Sequence, residues 1–146
     1  MDLDDAFGNF TDKKPFGPRE GYAGVLLCAS ACDGHIADEE VQALVTALMR
    51  MKMYQNVPNH QFSSMMDRLL GILKRGGPEK LLDSVIEAVP PELCETAFAN
   101  ACNIVLADGT VEDEEKEMMN TLMSRLDIPK ERALEIIKVM VIKNKG

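Results

Sequence analysis

Apolar residues recur along this chain at three- and four-residue spacing, and no segment sustains the every-second-residue alternation of a half-buried strand. Pro18 reads as a helix start, since its missing N–H costs nothing there. The run 19–33 is apolar on nearly every face, through Tyr22, Val25, Leu26, Leu27, Ala29 and Ala31, which predicts a central, buried helix. Residues 91–108 have the same character, with Ala97, Phe98, Ala101, Ile104, Val105 and Leu106. Amphipathic spacing predicts helices over 38–53 and 113–126. Two more, over 60–74 and 78–89, are separated by Gly76-Gly77-Pro78 and closed by Pro90-Pro91. Pro129 opens a last helix to about residue 142, with lysines near its end where the helix dipole favours cations. The pattern predicts an all-α chain, a compact bundle of about seven helices.

The pattern is also duplicated. Cys32-Asp33-Gly34-His35-Ile36-Ala37-Asp38-Glu39-Glu40 is answered 75 positions later by Ala107-Asp108-Gly109-Thr110-Val111-Glu112-Asp113-Glu114-Glu115. Each copy places Asp-Gly at the end of an apolar run, then a β-branched residue, then an acidic cluster opening an amphipathic stretch. At the same offset Ile36 answers Val111, Leu44 answers Met119, Leu48 answers Met123 and Met51 answers Leu126. This is a repeated helix–loop–helix unit. Two buried helices related by it predict a pseudo-twofold core.

Charge follows the repeat. Segment 33–40 carries −4 and segment 108–117 carries −5, against −8 for the whole chain, so the remainder nets +1. Two acidic loops therefore sit on a near-neutral body. With no basic stripe interleaved with aromatics, nucleic acid is not expected as a partner; cations or basic protein surfaces are. At 146 residues and 46% hydrophobic content, one domain with a real core is expected over 18–146. Residues 1–17, with Gly8, Pro15, Gly17 and Phe7, Phe10 and Phe16 among charges, read as a loosely ordered arm pinned by one Phe. The longest apolar run, 22–32, is too short to span a bilayer, so no membrane insertion is expected. An acidic start, Met1-Asp2-Leu3-Asp4-Asp5, does not read as an export signal, which predicts a cytoplasmic chain whose four cysteines are reduced, buried small hydrophobes.

Each Asp-Gly loop has a purely structural account. Gly34 and Gly109 suit a left-handed residue past a helix end. Ile36 and Val111 supply the apolar contact that accompanies such a cap. The acids at 38–40 and 113–115 occupy a first helical turn, where carboxylates offset free N–H groups. Duplication points further, because capping requires neither Asp before the Gly nor Glu seven residues after that Asp. If the two buried helices pack as a symmetric pair, Asp33, Glu40, Asp108 and Glu115 face one another, with Glu39 and Glu114 as secondary donors. Two carboxylates about 4 Å apart repel by about 4 kcal/mol at an effective dielectric near 20. Such a group splays into water or gathers around a hard divalent cation, calcium before zinc. An EF-hand is excluded by spacing: Gly directly follows the first Asp and Glu comes seven residues after it, so any site must be shared between the two halves.

The Ala-Asp-Gly-x-Val-x-x-x-Glu pattern, occurring twice in a helical chain of this length, resembles the TerB-like family of tellurite-resistance proteins, as does the Asp113-Glu114-Glu115-Lys116 helix start. The similarity covers residues 22–143. It implies a bundle of about seven helices, a cytoplasmic location and a metal-binding role for Asp33, Glu40, Asp108 and Glu115. It suggests a setting in tellurite or metal stress, although that family name comes from operon context. The chain departs from the pattern at Cys32, where Ala or Ser is usual, and at Ala37, where Ser often caps the helix. A looser, weaker first loop is therefore expected.

Other chemistry is sparse. Cys28, Cys32 and His35 could form a soft-metal cluster, but the repeat offers Asn103 and Ala107 at the two thiol positions, so packing cysteines are the better reading. His60 reads as a surface residue at a helix start. The methionines of the helices read mostly as core filler, with an adaptable partner-binding groove as the lesser alternative. No nucleophile elbow, P-loop or HExxH motif is present, so the expectation is a non-enzymatic module. A carboxylate-bridged dimetal hydrolase is the weakest reading. The main rival to cation binding is an interaction scaffold whose acids are caps and a surface for a basic partner.

Overall fold

The computed structural model describes residues 15–107 and 109–146. Pro18 supplies the first helical residue, and Glu20, two positions on, turns back so that its Oε2 accepts the Gly17 N–H at 3.1 Å. That start opens α1 (Pro18–Ser30), followed by α2 (Asp38–Met49), α3 (Asn59–Val85), α4 (Cys94–Leu106), α5 (Asp113–Arg125) and α6 (Lys130–Lys143). Single 3-10 turns stand at Lys52–Tyr54, Ile86–Ala88 and Pro91–Leu93. The described residues contain no strand.

The stretches predicted as 60–74 and 78–89 form one helical element interrupted at Gly77, whose φ of +82° and ψ of 176° are not helical. Pro78 is the reason: its ring disfavours the α region for the residue before it, and it lacks an N–H. Past Val85 the chain tightens into a 3-10 turn. The helix expected over 38–53 ends at Met49, because Met51 is extended and Tyr54 turns inward. There Tyr54 donates its hydroxyl to the Arg19 carbonyl at 2.7 Å and meets Phe62 edge-on, with ring centroids 5.7 Å apart.

α1 is the axis of the fold. Every residue from Gly21 to Ala29 is buried, as its all-round apolar pattern predicts, and the helix packs along α3 and α4. Two glycines allow the closest approaches. A Cβ on Gly21 would stand 2.8 Å from the Ala88 carbonyl carbon, and one on Gly24 would stand 2.8 Å from both Val85 methyls. The polar atom that α1 buries against α4 is satisfied: Asn100 Nδ2 donates to the Tyr22 hydroxyl at 2.7 Å. Buried apolar residues from each of the six helices among the described residues join in one cluster. Phe16 packs against it, with the Arg68 guanidinium carbon 3.9 Å from its ring centroid. Phe7 and Phe10, with the rest of the arm up to residue 14, lie outside the described residues. No helix among the described residues is long and apolar enough to cross a membrane.

Candidate functional site

The two loops are built alike. At the first, the Gly34 N–H donates to the Ala31 carbonyl at 2.8 Å, and Gly34 holds φ +92°. At the second, the Gly109 N–H donates to the Leu106 carbonyl at 3.1 Å, and Gly109 holds φ +84°. Both are left-handed caps that let the chain leave a helix end. Ile36 and Val111 are half-buried and pack against the core. The next helices then start 75 positions apart, at Asp38 and Asp113. In each, the third-position glutamate reaches back to the residue before the helix. Glu40 Oε1 accepts the Ala37 N–H at 3.1 Å, and Glu115 Oε1 accepts the Glu112 N–H at 2.8 Å. Asp33 Oδ1 accepts the His35 N–H at 2.9 Å, closing a turn around Gly34. The repeat partners Leu44 and Met119 are both buried. Leu48 and Leu126 are buried while their counterparts, Met123 and Met51, are half-buried against the same core.

The packing of α1 on α4 brings acids from both loops to one place. Asp33, Glu40 and Glu115 line a cleft of 680 Å³. Its apolar lining includes Ala43 and Ala47 of α2 and Ile104 of α4, while Asn100 and Asn103 add amides. No Lys or Arg lines it. The Cys32 thiol registers the same convergence. It is pushed up to about 11, first by burial, then by the negative charges of Glu115 and Asp33, with Glu114 adding to them. Asp108, the fourth predicted acid, lies outside the described residues. The two secondary candidates, Glu39 and Glu114, are exposed and are not part of the cleft wall.

Asp33 and Glu40 are exposed and Glu115 is half-buried, and each uses one carboxylate oxygen as a cap. The other oxygen of each makes no hydrogen bond within the described residues. No three His, Cys, Asp or Glu side chains converge as a ready metal cage among the described residues. The donors are hard oxygens, of a type that suits calcium or magnesium rather than zinc, so the residue types fit a hard cation better than their present spacing does.

The soft-metal cluster fares worse. Cys28 is fully buried, its Sγ donates to the Pro78 carbonyl at 3.3 Å, and burial followed by the Asp83 charge pushes its thiol up to about 12. His35 is exposed, and all four cysteines are free. His60 is exposed at the start of α3. Among the methionines, Met66, Met118 and Met119 are buried, whereas Met49 is exposed. A second cleft, of 570 Å³, lies where the α5–α6 turn meets the segment after α3. Its Arg125 is paired with Asp83 and its Glu95 with Arg132, while Glu87 and Asp127 add further negative charge to its wall.

Sequence reasoning did not single out Asn100 or Asn103. A signal was available: two amides three residues apart share a face of a helix whose other residues after Thr96 are all apolar. No protein-family model, no curated protein and no solved structure matches this chain.

Proposed function

We propose that this chain is a non-enzymatic, TerB-like cytoplasmic module that binds a divalent cation, calcium in preference to zinc, between its two Asp-Gly loops. The observation that carries the reading is the cleft itself: acids from both halves of the repeat line one cavity that no basic residue lines. Asp33, Glu40 and Glu115 would each offer the oxygen not used as a cap, and Asp108, at the position that answers Asp33 in the sequence, would be the fourth donor. Cation uptake requires these side chains to turn into the cleft. A role in tellurite or metal stress is the setting the family resemblance suggests.

A second reading rests on a specific observation. All three carboxylates already accept a backbone N–H, so capping alone accounts for their positions, and the cleft would then serve as an acidic surface for a basic protein partner. Thermal melts in calcium, magnesium, manganese and EDTA separate the two. An ion at about a hundred times its dissociation constant adds about 2.7 kcal/mol of stability. Asp33→Asn with Asp108→Asn should erase that gain. Asn tolerates the same turn and retains a carbonyl acceptor, so the loss would report ion binding rather than loop collapse. If no ion moves the melting midpoint, the scaffold reading stands. A dimetal hydrolase would require phosphoester turnover that vanishes in the same double variant.

A further inference from the structure

Val139 and Ile142 on α6 are 61% and 68% exposed, the two most exposed large apolar side chains among the described residues. With Lys143 they lie three and four residues apart, on one face of the helix. Contacts fix where this end of the helix sits. Lys143 Nζ donates to Asn103 Oδ1 at 3.0 Å, and Asn144 Nδ2 donates to the same oxygen at 3.1 Å. Asn103 lines the acidic cleft. The C-terminal end of α6 and the cleft therefore meet at Asn103 on α4, while Val139 and Ile142 face outward from the same end.

Their charges are opposite. Residues 136–146 carry Lys138, Lys143 and Lys145 and no Asp or Glu. The cleft carries Asp33, Glu40 and Glu115 and no Lys or Arg. One molecule thus displays both an apolar ridge flanked by lysines and an apolar-floored hollow edged by carboxylates. A surface holding both halves of a complementary pair is what a twofold contact requires, since each copy then gives and receives the same contact. Exposed apolar side chains bordered by charge are also where protein contacts concentrate.

We propose that this surface docks a second copy of the chain about a twofold axis. Val139 and Ile142 of each copy cover the floor formed by Ala43, Ala47 and Ile104 of the other. Lys143 and Lys145 meet the opposing Asp33, Glu40 and Glu115. The acidic loops carry all of the chain's negative excess, so the contact places the basic C-terminal segment against the charge that would otherwise repel a like molecule. The inference goes beyond the cation reading and needs no ion.

Sedimentation velocity on the full chain, in EDTA over a wide concentration series, tests it. A reversible monomer–dimer equilibrium is expected. Val139→Glu with Ile142→Glu should weaken it by about tenfold or more. Both side chains point to solvent, so the helical circular dichroism of that variant should match the parent's. Carbodiimide coupling of mixed isotopically light and heavy copies should join Lys143 or Lys145 of one to a cleft carboxylate of the other. A monomer throughout the series overturns the proposal, even one that captures a basic peptide in its cleft; so does a dimer indifferent to the double variant. A missing ion-dependent melting shift would count against the cation reading alone.

Discussion

Gly34 and Gly109 show how far a single residue type can be read. Both hold the left-handed backbone expected of an Asp-Gly pair just past a helix end, and a Cβ on either would meet nothing within 4 Å. The cost of a side chain there is therefore purely conformational. Gly34→Ala and Gly109→Ala should each lower stability by about 1–2 kcal/mol in urea titrations, with helix content unchanged in the folded state. The glutamates were legible in place, and as acids of a first helical turn. Glu40 and Glu115 each cap the residue before their helix, and so does Glu20, which belongs to neither Asp-Gly loop. A device used three times argues that these glutamates are present for the helix starts first. The proposed cation would draw on the oxygen left over.

At the level of elements, helix type and most starts were readable because they depend on local spacing and on proline. Pro18 and Pro129 mark two starts, and the acid clusters mark two more at Asp38 and Asp113. Helix ends were less legible where no local stop exists. α2 ends at Met49 because Tyr54 turns back to bond Arg19 on another helix, which no nearby residue announces. Glycines inside helical patterns were indistinguishable in sequence, yet packing separates them. Gly24→Ala drives a methyl to 2.8 Å from both Val85 methyls and should cost about 1–3 kcal/mol. Gly71→Ala, in α3, brings a methyl to 3.4 Å from the tip of the flexible Arg75 side chain. It should add about 0.5–1 kcal/mol by restricting the unfolded chain. Equilibrium denaturation of the two variants checks both signs, and a Gly24→Ala protein as stable as the parent would contradict the close approach of α1 and α3.

For the whole molecule, burial of ionisable groups sets a direction with pH. Burial, aided by Asp83, raises the Cys28 thiol from 9.0 to about 12, and burial also raises Tyr22, Tyr54 and Cys102. Above pH 9 the unfolded chain loses the thiol proton while the folded one keeps it. Stability is thus complete below about pH 9 and falls as pH rises toward about 12. A shift of that size corresponds to about 4 kcal/mol for Cys28 at the alkaline limit. Urea midpoints measured through this range should decline. Cys28→Ala should decline more gently, whatever its stability at neutral pH.

The all-helical class and the left-handed Asp-Gly turns were legible in the sequence alone, because periodicity, allowed backbone angles and first-turn charge act within a few residues of one another. Whether the two loops meet was not, since that follows from how α1 lies on α4, through contacts such as Tyr22 to Asn100, 78 residues apart. Only the packed chain placed Asp33, Glu40 and Glu115 around one hollow, gave it an apolar floor and two amides, and set the lysine-flanked end of α6 beside it. Local rules choose the elements; the burial of their apolar faces against one another decides which side chains become neighbours.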